Sequence, residues 1–136
     1  MGLSVAGLSM LSCLRLLDPM PSEQVRDMTG LRDRPALVER YHEVHGRYPA
    51  TLDETLALVT ETDPTHWRSS RDGRGVPLAF ASGEDWFVIV ALGRDRALDE
   101  GMTIESYLDA EYRNVCGDLD ADQVITHQSW VRSCGK

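Results

Sequence analysis

Apolar positions recur at helical spacing between Pro35 and Tyr48, where Leu37, Tyr41, Val44 and Tyr48 fall on one face. This predicts a solid helix over Pro35–His45. Gly46 supplies a left-handed exit and Pro49 stops the helix from resuming. Upstream, Gly30 and Pro35 weaken the run from Ser22 to Arg34, so a kink or break is expected there. Thr51-Leu-Asp-Glu54 has the spacing of a capping box and opens a short second helix with Leu52, Leu56 and Val59 as its apolar stripe.

The pattern then changes period. Thr60–Gly75 is polar and turn-rich, with Trp67 expected to tuck under a sheet. Val76–Ala81 reads as a strand with Pro77 at its entry, and Ser82-Gly-Glu-Asp85 as a hairpin turn. Trp86–Leu92 (WFVIVAL) is apolar on both faces, which predicts a central strand covered on both sides. The segment 93–117 is an excursion with a short helix at Ile104–Glu111, and Gln123–Arg132 alternates as a last strand. The expected fold class is α+β: a long N-terminal helix packed on a small, three- to four-stranded antiparallel sheet.

The first fourteen residues, MGLSVAGLSMLSCL, carry no charged side chain. As a helix they rise about 21 Å, short of the roughly 30 Å hydrocarbon core. Four readings compete: a clipped membrane helix, a signal-peptide core that no Lys or Arg precedes, a lipoprotein-like Ser12-Cys13 end that Met10 and Leu11 fit poorly, and an ordinary packing helix. The chain divides into an apolar segment and broken helix over 1–34 and a globular domain over 35–136.

Charge sharpens this outline. The net charge is −8, and the segment from Asp95 to Asp122 holds nine acids against Arg96 and Arg113. Such a segment repels a phosphate backbone, so nucleic acid is not an expected partner. Asp118, Asp120 and Asp122 alternate like the opening of a calcium loop, but Gln123 stands where a Gly would turn the chain, and Ser129 where a Glu would close the shell. A looser calcium site, with Asp95 brought in from the end of the central strand, is the expected alternative. Cys116 and Cys134 lie 18 positions apart and can close a bridge in an oxidising compartment. His42 and His45 share a helix face without a third ligand. No nucleophile elbow, phosphate loop or dinucleotide fingerprint occurs, and no enzymatic activity is expected.

Four motifs in order carry a family resemblance. RYHEVHGRYPATLDETLALV resembles the helix exit of the major pseudopilins of type II secretion. Asp72-Gly-Arg-Gly-Val-Pro-Leu-Ala-Phe80 resembles their Asp-Pro-Trp-Gly-x-Pro segment, with Gly73 and Arg74 in place of Pro and Trp. Trp86–Asp95 resembles their strand ending in Ser-Leu-Gly-x-Asp, and Asp118–Val131 their closing strand with its Trp. The resemblance covers Leu37 to the C-terminus. It implies a non-catalytic subunit of a type II secretion pseudopilus or type IV pilus-like filament, assembled from its own copies and related subunits with the secretion machinery. It further implies a location at the periplasmic face of the inner membrane or the cell surface, with the N-terminal segment, if extended upstream, reaching the membrane. Asp95 matches the family's first calcium-loop Asp, and Asp120 or Asp122 the second. The prepilin cleavage site, the Glu after it and the full apolar spine have no match here. The alternative is a calcium-binding periplasmic module, free or lipid-anchored, that does not polymerise.

Overall fold

The computed structural model describes residues 22–72 and 74–134. The apolar N-terminal run, Cys13 and the two prolines at 19 and 21 lie outside them. The first elements are α1 (Ser22–Arg32) and α2 (Arg34–His45), separated by a single non-helical residue, Asp33. The break falls inside the stretch that Gly30 and Pro35 weaken. At the far end Gly46 takes φ +74° and donates its amide to the His42 carbonyl, giving the expected left-handed stop.

One buried stripe crosses both helices: Gln24, Asp27, Leu31, Arg34, Val38 and Tyr41. Its spacing is helical and passes through the break without losing phase. The expected face holds in part: Leu37 and Tyr41 are buried and Tyr48 packs on the sheet core, but Val38 rather than Leu37 joins that core, and Val44 is 61 % exposed. Three stripe positions are polar, so an apolar pattern misses them.

The expected sheet of three or four antiparallel strands is in fact five-stranded and mixed, in the order β1-β2-β4-β5-β3. The strands are β1 (Ala79–Ser82), β2 (Phe87–Ala91), β3 (Arg113–Asn114), β4 (Gln123–Thr126) and β5 (Trp130–Ser133). β1 and β2 form a hairpin registered from Ser82 opposite Phe87 to Ala79 opposite Val90. β2 pairs antiparallel with β4 and β4 with β5, the latter with a register shift at Val124/Ile125. The two-residue β3 runs parallel to β5 and supplies the unexpected edge.

β2 is buried at every position, and its alternation divides two clusters. Phe87, Ile89 and Ala91 pack with Leu31, Val38, Leu52 and Ile125 on the helix side. Val88 and Val90 pack with Tyr107, Val124 and Val131 on the other, where Leu98, Met102, Ile104 and Leu108 of the excursion complete the cover. The excursion is therefore a second layer.

Loops are tied to the helices by ionic and polar contacts. Arg40 forms a bidentate pair with Asp63 at 2.8 and 3.2 Å and lies 5.7 Å over the buried Trp67 ring. That guanidinium holds the Asp63 carboxyl well below its usual range. Glu54 accepts the Thr51 amide at 3.3 Å, the return arm of the expected box. Cys116 and Cys134 are joined as a disulfide.

Candidate functional site

The acidic segment folds back on the end of β2. Gly93 lies against the backbone of Asp120, and the Arg94 amide donates to the Leu119 carbonyl at 2.8 Å. A Cβ on residue 93 would stand 2.2 Å from the Asp120 carbonyl oxygen, so only glycine admits this crossing. Gly93→Ala is expected to cost about 2 kcal/mol through the backbone shift it forces, measured by urea unfolding. Wild-type stability in that variant would contradict so close a crossing.

The crossing brings Asp122, just before β4, to Asp99 in the excursion. The two residues clamp each other. The Asp99 amide donates to Asp122 Oδ2 at 2.9 Å, and the Asp122 amide donates to the Asp99 carboxylate at 3.2 and 3.4 Å. The Tyr107 hydroxyl reaches Asp122 Oδ2 at 2.7 Å and Asp99 Oδ2 at 3.3 Å. Arg132 lies 5.5 Å over the Tyr107 ring. Asp122 is fully buried, and its Oδ1 has no hydrogen-bond partner.

Charge is thus concentrated where solvent cannot screen it. Burial pushes the Asp122 carboxyl up to about 6, aided by the negative charges of Asp99 and Asp95 and opposed by the Asp99 amide and the Tyr107 hydroxyl. Burial first, then the Asp122 carboxylate, pushes the Tyr107 phenol above its ordinary value. The arrangement can hold a proton on Asp122, which removes its buried charge.

The four expected ligands are not gathered together. Asp122 points inward. Asp95 is exposed and accepts the Ala97 amide at 3.1 Å. Asp118 and Asp120 are exposed, the Asp118 carboxylate accepting the Asp120 amide at 3.2 Å in a turn. Among the described residues no group of three or more His, Cys, Asp or Glu side chains is placed to hold a metal ion. Asp99 and Tyr107, which spacing does not single out, take the places beside Asp122.

Gln24 closes the other side of the segment. Its Oε1 accepts the Gly117 amide at 2.8 Å, and its Nε2 donates to the Val115 and Asp118 carbonyls at 2.8 and 3.1 Å. Gln123 Nε2 donates to the Gln24 carbonyl at 3.0 Å, and Gln123 Oε1 accepts the Cys134 amide. Helix α1, the disulfide and the start of β4 thereby form one joint.

No protein-family model, curated protein or solved structure matches the chain.

Proposed function

We propose that the chain is a non-catalytic structural subunit of a pilin-like filament, of the type II secretion pseudopilus or type IV pilus kind. Its head would be stabilised by calcium at the Asp99–Asp122 clamp. The observation that carries this reading is the arrangement of layers. A helix with a glycine-proline exit lies across a hairpin-led sheet, and an acidic excursion is pinned to the end of its central strand. Paired carboxylates at that loop give an oxygen-donor cation a place. Backbone carbonyls would have to complete its shell, with Asp95 the nearest further carboxylate in the charge balance. The disulfide agrees with the periplasm or the cell surface. Other copies and related subunits are the partners; among the described residues no helix is long and apolar enough to cross a membrane.

The break at Asp33 favours a second reading, a calcium-binding module of the same fold that does not polymerise. Since α1 is docked on the head by Gln24 and Leu31, it is not a free spine.

Calcium titration with a melting readout addresses the metal. A ligand bound only by the folded state at a hundred times its Kd adds about 2.7 kcal/mol. The shift is expected in wild type, absent in Asp122→Asn and Asp99→Asn, and retained in Asp118→Asn. Absence of any shift, or an equal shift with magnesium, removes the calcium site. Sedimentation and electron microscopy of the full chain in calcium then separate the readings: linear oligomers favour the filament subunit, and a monomer at every concentration the isolated module.

A further inference from the structure

A pocket of about 410 Å³ opens between α1, the first turn of α2 and the segment carrying Thr65–Arg68. Arg26, Thr29, Arg34, His66, Arg71 and Asp72 line it. Arg34 is the unusual member. It is 1 % exposed, and its Nη2 donates to the His66 and Arg71 carbonyls at 2.8 and 3.3 Å. Its Nε and Nη1 are buried with no hydrogen-bond partner. Both contacts that it makes are to neutral carbonyls, so its charge is buried uncompensated.

The surroundings do not supply the missing anion. Asp72 Oδ1 is committed to the Arg74 and Val76 amides at 2.8 and 2.9 Å, and its Oδ2 faces Arg74 Nη2 at 3.8 Å. Arg26 is exposed and makes no hydrogen bond or ion pair among the described residues. Arg26 and Arg34 therefore line the pocket beside one carboxylate that is turned to Arg74, while the exposed Arg71 donates to the Gly75 carbonyl at 2.8 Å. The Arg34 Nε and Nη1 N–H groups, buried and without partners, are charged donors for the oxygens of a phosphate or carboxylate, each to a separate oxygen because Nη2 is taken. The volume exceeds that of a bare ion and falls within the range of small-molecule sites.

We propose that this pocket binds the oxyanion head, phosphate or carboxylate, of a small ligand, with Arg34 as its principal partner and Arg26 closing over it from α1. The proposal is independent of the filament reading and of calcium.

The test is carried out on the full chain without calcium, at matched ionic strength, with sodium phosphate, sodium acetate and sodium chloride as the three arms. Phosphate or acetate is expected to raise the melting temperature above that in chloride, and the arm that does so assigns the head group. Arg34→Met is expected to abolish the shift. Arg26→Gln removes only a solvent-exposed donor, so it keeps the fold, and it is expected to weaken the anion roughly fivefold in a calorimetric titration. The proposal is overturned if neither oxyanion exceeds chloride, if the shift persists in Arg34→Met, or if Arg26→Gln binds the anion as wild type does.

Discussion

Replacing Cys116 and Cys134 together by serine is expected to lower the unfolding free energy by about 3 kcal/mol. The bridge spans 18 positions, and closing a loop of that size removes about this much conformational freedom from the unfolded chain. The folded state has its own reason to need it. β3 is two residues long and exposed, and among the described residues it pairs with β5 alone. Cys116 follows it after Val115 alone, and Cys134, fully buried, comes next after β5. The bridge therefore ties the two strand ends where the ladder is shortest. Urea unfolding of the double serine variant against oxidised wild type measures the effect. Using both substitutions leaves no half-pair to exchange with Cys13. A loss below about 1 kcal/mol would mean that the joint made by Gln24 holds this edge unaided.

Asp122→Asn is expected to stabilise the protein near neutral pH in the absence of divalent cations, by up to about 3 kcal/mol. The sign follows from proton linkage. The carboxyl has a folded-state pKa of about 6 against an ordinary 3.8, so between those values the folded state binds more protons than the unfolded chain. Stability from this group is therefore full below pH 4 and lost as pH rises through 6. At pH 7 the buried charge is a penalty, each pKa unit corresponding to about 1.4 kcal/mol. Asparagine keeps an acceptor for the Tyr107 hydroxyl and the Asp99 amide while removing the charge. The advantage of the variant over wild type should shrink as pH falls from 7 towards 4. Taking the difference between the two proteins cancels other acids, Asp63 among them, whose pairing with Arg40 weakens stability in the opposite direction on acidification. A difference independent of pH would rule out the buried charged clamp. Saturating calcium should reverse the order, because a bound cation neutralises the wild-type carboxylates and has less to hold in the variant.

What the chain reveals without coordinates depends on whether the signal is apolar. The hairpin of β1 and β2, the two-sided burial of β2, the stop at Gly46 and the cysteine pairing were all legible, because each rests on period or punctuation. The sheet's fifth strand was not, since Arg113 and Asn114 are exposed and too few to show alternation. The buried helix stripe was misread for a different reason. Gln24, Asp27 and Arg34 look like solvent-facing residues until their loop partners are in place: Gly117 for Gln24, Arg74 for Asp27, His66 for Arg34. At the acidic segment, alternate spacing resembled the opening of a calcium loop for Asp118, Asp120 and Asp122. Such a loop needs a glycine at the sixth position to turn the carboxylates together, and Gln123 there instead begins β4. In the turn before it, two carboxylates face water and only Asp122 turns inward. Asp99 sits in irregular chain, where no period marks it.

The place of β2 inside the sheet, between β1 and β4, also bears on the order in which the molecule assembles. Its pairing with β1 closes across Gly83 and Trp86, a contact the chain can make early and locally. Its pairing with β4 cannot begin until everything from Leu92 to Asp122 has been looped back, so this pairing carries the larger loop-closure entropy and is expected to form later. Amides of β2 facing β4 are then released to exchange only with the whole fold, while those of β3 open with the edge alone.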